Sequence, residues 1–233
     1  MAKKGSLRKS NYKEYEERPV RIRRYKYLFL IVCEDENTEP AYFEQFQVQI
    51  PVETMFLRSV GTGRDPLGVV HAAIKEKESL SIKFRKEVDE VWVVFDKDDA
   101  DENKTKVDRF ELAFEIAKTE KFEIAYSNEV FELWLLLHLM LVDYSSPLPR
   151  STIYQLLQTS IRNNKDFADF NYKHGNANIL DIIKKIGNEP LAIERAKLLM
   201  EKQSNKRPIE ANPSTKIHLL ITQIHEWIAY YSY

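Results

Sequence analysis

Cysteine is nearly absent from this chain. Cys33 is the only one in 233 residues, so no intrachain disulfide can form, and a reducing cytoplasm is the expected home. Glycine is also scarce, at six residues, which disfavours a glycine-rich all-β fold. No apolar run approaches the ~20 residues that a bilayer span needs, so no membrane attachment is expected. The longest run, Leu133 to Val142, is interrupted by His138 and reads as a buried helix. The N-terminus is charged and has no apolar segment behind it, unlike a secretory signal. No Cys/His spacing suits zinc. The turn Gly61-Thr62-Gly63-Arg64-Asp65 lacks a Walker lysine, so it is not an NTP site, although its amides could cradle a phosphate.

What is present is a 43% hydrophobic chain with 30% charged residues, enough for one core with a helical appendage. The net charge of −1 hides an asymmetry. Residues 1–26 carry ten Lys/Arg against Glu14, Glu16 and Glu17, so they total +7 and the remainder −8. Such an arm, taken as residues 1–25, either binds phosphates by counterion release or is a solvated tail.

Tyr27 to Cys33 is a continuous apolar run that ends in acids, as a strand buried on both faces reads. A helix opens at Pro40, with Tyr42, Phe43 and Phe46 at helical spacing. Further strands are expected at 54–60, 88–95 and 122–126, with helices at 65–83, 106–118 and 131–141. Alternation of this kind calls for a parallel sheet with helices on both faces. We take residues 26–144 as that α/β core. Ser145 to Pro149 is a break, and 145–233 reads as a helical C-terminal part packed on the core, with helices near 151–160, 176–186, 190–203 and 213–230.

In open α/β sheets, ligands bind beyond the carboxyl ends of the strands. Glu34 directly follows the first strand, Asp96 the third, and Asp98 comes two residues later. Carboxylates brought together there repel one another, and a hard divalent cation relieves the repulsion. Mg²⁺, or Mn²⁺ in its place, suits oxygen ligands and can activate water beside a phosphate. A strand-Glu followed by a strand-Asp-x-Asp is harder to dismiss than any single acid, since a lone Asp or Glu is usually solvated. Asp35, Glu36, Asp99, Asp101 and Glu102 are expected to face solvent.

Glu132 sits in an apolar helix and reads either as a further ligand or water-positioning group, or as an acid favoured by the helix dipole with Asn128 as the cap. Thr38 reads as a phosphate contact or, preferably, as the cap of the helix that Pro40 begins. Arg64, Lys97, Asn128, His138 and Lys173 complete a set of candidate nucleic-acid contacts, with His138 more readily explained as a core histidine. Ser214 and Thr215 read as the cap of the last helix.

Ile31-Val32-Cys33-Glu34-Asp35-Glu36-Asn37-Thr38-Glu39-Pro40, followed by Tyr42-Phe43, resembles the opening motif of the RloB family. Val94 to Asp99 resembles its second motif. Ala125 to Asn128 with Phe131 to His138 resembles its third, and Asn212 to Thr215 a fourth. Asp35 stands where that family usually has glycine, and Asp tolerates positive φ better than most residues. The resemblance implies a Toprim-like Rossmannoid sheet with a Mg²⁺ site at the strand-end Glu and the Asp-x-Asp. It also implies a prokaryotic antiviral (abortive-infection) setting and an AAA-type ATPase partner. The expectation is therefore a metal-dependent nuclease in which Glu34, Asp96 and Asp98 bind the ion and Glu132 assists. RNA, tRNA included, and DNA both stay open as substrates. The alternatives are a non-catalytic partner or sensor subunit, with self-association open, and a phosphatase of the Asp-phosphorylating type. The last ranks lowest because its Asp-x-Asp follows the first strand, not the third.

Overall fold

The computed structural model describes residues 25–233; all of the basic arm except Tyr25 lies outside them. The chain runs β1 (Tyr27–Cys33), α1 (Thr38–Glu44), β2 (Met55–Gly61), α2 (Pro66–Phe84), β3 (Glu90–Asp96), α3 (Lys104–Thr119), β4 (Glu123–Asn128) and α4 (Glu132–Leu137). It continues with α5 (Arg150–Arg162), α6 (Asn178–Ile186), α7 (Glu189–Lys202), β5 (Ser214–Thr215) and α8 (Ile217–Ser232). The sheet order is β2-β1-β3-β4-β5, with β1 to β4 parallel and β5 antiparallel to β4. This is the expected α/β class.

Strand direction and order decide where a ligand can enter. From β1 the chain passes outward to β2, then crosses back to β3 on the other side of β1. The carboxyl ends of β1 and β3 therefore flank the point where the winding reverses, and connecting loops diverge there to leave a crevice.

The period of two along each strand divides the core. Leu28, Leu30 and Val32 with Val91, Val93 and Phe95 pack beneath α2 and α3. Phe29, Ile31 and Cys33 with Trp92, Val94 and Ala125 pack against α1, α4 and the C-terminal helices. Helices α5 to α8 thus share a core with one face of the sheet, through Ile153, Leu157, Ile183, Leu199 and Ile221 among others. Among the described residues no helix is long and apolar enough to cross a membrane.

Three local expectations need correction. Thr38 does not cap α1: it is the helix's first residue, and its amide donates to Asp35 Oδ2 at 2.5 Å. Asp35 does the capping that Thr38 was assigned, and its φ is not positive. Asn128 does not cap α4, because Val130 and Phe131 intervene and its side chain turns to the carbonyls of Pro208 and Ile209. Thr215 does cap the last helix, its hydroxyl accepting from the Ile217 amide at 3.3 Å, but with Ser214 it also forms the short strand β5, where the hydroxyls of Ser127 and Thr215 meet at 3.0 Å. Helix α4 ends at Leu137 rather than Leu141.

Candidate active site

Glu34 leaves β1 with its amide still in the sheet ladder, donating to Val94 O at 2.9 Å. Its side chain reaches across to β3, where Oε2 accepts from the Asp96 amide at 2.9 Å. Asp96 in turn accepts from the Phe131 amide through Oδ2 at 2.9 Å, which ties β3 to the start of α4. Its other oxygen, Oδ1, is buried and has no hydrogen-bond partner. An unpartnered buried carboxylate oxygen costs on the order of 1–3 kcal/mol or more, which a proton or a cation taken up at the winding reversal would offset. Asp98 adopts φ 44° in the loop, a region Asp enters more readily than most residues. Its Oδ1 lies 3.2 Å from Arg150 Nη1, and Arg150 also contacts Asp99.

The structure adds an acid that the motif reading passed over. Glu39 lies in the first turn of α1 and is only 1% exposed. Its Oε2 accepts from the Asp35 amide at 3.1 Å, which leaves its carboxyl among Glu34, Asp96 and Glu132 with no cationic partner among the described residues. Four elements therefore send acids toward one crevice: Glu34 after β1, Glu39 from α1, Asp96 and Asp98 at and just after the end of β3, and Glu132 at the start of α4.

The electrostatics follow from that crowding. Burial, with the nearby Asp98 adding to it, pushes the Glu34 carboxyl up to about 8 despite the Asp96 amide. Burial and then Glu34 raise Glu39 well above the usual carboxylate range. Burial, then Glu39 and Glu34, do the same to Asp96. Burial also raises Asp98, with Arg150 partly offsetting it. Without a cation, protons must neutralise these groups.

Glu132 is 5% exposed, and a side chain so placed needs partners. They come from far along the chain: the Tyr172 hydroxyl donates to Oε1, and His174 Nδ1 lies 3.5 Å from the same oxygen. Lys97 is buried, but its ammonium is committed to Glu129 at 3.0 Å and Asp101 at 2.8 Å. On the α2–α3 side of Glu34 a cleft of about 320 Å³ opens, lined by Asp65, Asp98, Lys106 and Arg109.

The remaining sequence-selected residues are dispersed. Lys173 is exposed in the segment that covers Glu132. Arg64 is exposed and lines a separate hollow with His71 and Lys75. Asn128 is fully buried in its ties to the 208–209 carbonyls. Thr38 is buried at the start of α1. His138 sits at the far end of α4 from Glu132, with Nδ1 on Trp134 O at 2.9 Å and Nε2 3.4 Å from the Tyr42 hydroxyl. Arg150, Tyr154 and Tyr172 were not foreseen, and nothing in their local sequence marks them out. Nothing in the local sequence singles Glu39 out among the acids of 34–39.

A sequence model of the RloB-like protein family matches residues 29–224. The chain belongs to the RloB-like family. Glu34, Glu39, Asp96, Asp98 and Glu132 all fall within the matched span. No curated protein and no solved structure matches the chain.

The donor set can be tested against a divalent ion on chemistry alone. Every group is a carboxylate oxygen, the hard donor that Mg²⁺ and Mn²⁺ take. One oxygen is buried and unpartnered, and the mutual repulsion is of the kind an ion relieves. Among the described residues, however, no three His, Cys, Asp or Glu side chains already stand as a finished coordination sphere. The residues fit the ion in kind and neighbourhood, with Asp98 also contacting Arg150.

Proposed function

We propose that this RloB-like protein is a Mg²⁺- or Mn²⁺-dependent phosphodiesterase that cuts nucleic acid at the β1/β3 crevice. The observation that carries the reading is the buried, unpartnered Asp96 Oδ1 among acids from four elements. Glu34, Asp96 and Asp98 are the residues that would hold the ion, with Glu39 beside them; this is the arrangement the Toprim-type resemblance implies. The bound ion would supply charge to a phosphate oxygen and make water acidic enough to attack phosphorus. The chain's own part is positioning. The Phe131 and Asp96 amides fix the carboxylates, Glu132 orients water, and Arg150, Lys106 and Arg109 offset the negative charge that would otherwise repel a phosphodiester. The antiviral setting follows the family resemblance.

The test is cleavage of labelled RNA and DNA panels with Mg²⁺, Mn²⁺ or chelator, using wild-type protein and Asp96→Asn. Metal-dependent cutting that Asp96→Asn abolishes, with folding intact by circular dichroism, supports the reading. Metal-independent cutting, or cutting that survives Asp96→Asn, removes it. The lack of a finished coordination sphere favours a second reading: a non-catalytic subunit, self-associating or beside an AAA-type ATPase. A silent nuclease panel together with capture of such an ATPase would select that one.

A further inference from the structure

The rim above the acids is aromatic and cationic, and it comes almost wholly from the C-terminal part. Arg150 opens α5 and Tyr154 follows one turn later, so both project from the same side of that helix. Ile153, Leu157 and Ile161 continue the same stripe into the core and fix the helix's rotation, which leaves Arg150 and Tyr154 at its rim. Tyr154 stacks on Tyr172 with ring centroids 4.9 Å apart and planes 27° from parallel. His174 stands 6.0 Å from Tyr154, its side chain 71% exposed. The segment bearing Tyr172 and His174 is held to α5 by Tyr172 N donating to Gln158 Oε1 at 2.9 Å and by Arg162 Nε donating to Phe170 O at 2.6 Å. At its inner edge the Tyr172 hydroxyl touches Glu132, and Arg150 touches Asp98. A guanidinium, two stacked phenol rings and an exposed imidazole thus border carboxylates that are themselves recessed.

We propose that the site takes unpaired nucleic acid, with a base stacked on the Tyr154–Tyr172–His174 platform and the adjoining phosphate held by Arg150. This rests on the phosphodiesterase reading for the chemistry, but the binding mode can be tested without it. Base–aromatic stacking contributes about 1–3 kcal/mol per base and needs an open base face. In a duplex the neighbouring base pairs cover both faces, and rings at the rim find nothing to stack on. Glu39 and Glu132 lie at 1% and 5% exposure below that rim, where a flexible strand can bend inward and a rigid helix cannot. Arg150 lies on Asp98 and Asp99 with 34% of its side chain exposed, so a phosphate at the rim can reach the guanidinium.

The experiment uses full-length Asp96→Asn protein, so that substrate survives, and 2-aminopurine oligonucleotides of one sequence. The arms are single-stranded RNA, single-stranded DNA and the matching duplex. Single strands should bind at least about tenfold more tightly than duplex, with quenching of the 2-aminopurine signal. The RNA and DNA arms show which sugar is preferred. Tyr154→Phe should keep the quench. Tyr154→Leu, which keeps apolar bulk against the core but removes the ring face, should abolish the quench and weaken binding about tenfold. Arg150→Ala should weaken every single strand alike and reduce the salt slope by about one. Quenching and single-strand preference in a protein whose wild type cuts nothing would support this inference while counting against hydrolysis. Equal or tighter duplex binding, or an undiminished quench in Tyr154→Leu, overturns it.

Discussion

Two polar clusters share the same pair of short helices, and they are built on opposite principles. Helix α1 sends Glu39 into the acid crevice and Tyr42 into the other cluster. Helix α4 places Glu132 in the first and His138 in the second. In the second cluster every ionisable group has a partner. The Tyr42 hydroxyl donates to Glu189 Oε2 at 3.1 Å, His225 Nε2 lies 2.6 Å from Glu189 Oε1, and His138 is bonded to Trp134 O. Burial alone would raise Glu189, yet the hydrogen bond and charge of His225 hold it below the usual carboxylate range. The Glu189 hydrogen bond raises His225. In the crevice the acids face mainly one another, and burial and repulsion push Glu34, Glu39 and Asp96 up. A satisfied network of this kind holds helices together. An unsatisfied one lowers stability until something binds, which is how a ligand site differs from a structural one.

The contrast yields opposite signs for similar substitutions, and Asp96→Asn should show the largest effect. Cleavage should fall at least about 100-fold. In chelator the same protein should be more stable than wild type by about 1–3 kcal/mol, since wild type must bear there either a buried repulsive charge or a proton taken up on folding. Turnover and denaturant unfolding check the two halves. Loss of stability on this change would erase the distinction between the clusters.

The next effect is pH-dependent. Glu34 is raised from the ordinary 4.5 to about 8, so the folded chain holds a proton there that the unfolded chain has released. The Glu34 part of metal-free stability should therefore fall as pH rises from about 5 to 8, by on the order of 4 kcal/mol, with Glu39 and Asp96 acting in the same direction. Saturating Mg²⁺ should flatten the fall. Unfolding curves at a series of pH values, with and without the ion, measure it.

Glu189→Gln should act in the other direction from Asp96→Asn. It leaves His225 and Tyr42 without their charged acceptor and should cost about 1–2 kcal/mol, with no change in metal affinity. The smallest effect belongs to His225, whose ring is partly exposed. Its folded pKa is raised, so the pair's contribution is complete below about pH 6.5 and is lost as pH climbs through the folded value. His225→Gln should lower the melting temperature slightly at pH 6 and hardly at all at pH 9.

The strands that frame the crevice were legible because β1 and β3 are apolar runs ending in acids, and a parallel sheet buried on both faces requires that pattern. Glu34 and Asp96 follow directly. Glu39 did not stand out among the acids of 34–39, because which of them turns inward depends on how Tyr42 and Phe43 seat α1 on the sheet. Arg150 and Tyr172 reach the site only through the packing of α5 and its neighbouring loop, across tens of residues. Strand β5 escaped because two residues carry no period; it exists through its pairing with Ser127 and Asn128. Asp35 was read as solvent-facing, and its capping role emerges only once α1 begins at Thr38.

The most direct measurement is calorimetric titration of Mn²⁺ into chelator-treated wild-type, Glu39→Gln and Asp96→Asn proteins, in two buffers of different ionisation enthalpy. Wild type should bind the ion and release protons, Glu39→Gln should bind more weakly with less release, and Asp96→Asn should not bind. Absence of binding by wild type at millimolar Mn²⁺, or identical isotherms for all three, would show that the crowded acids at the ends of β1 and β3 are not there for an ion.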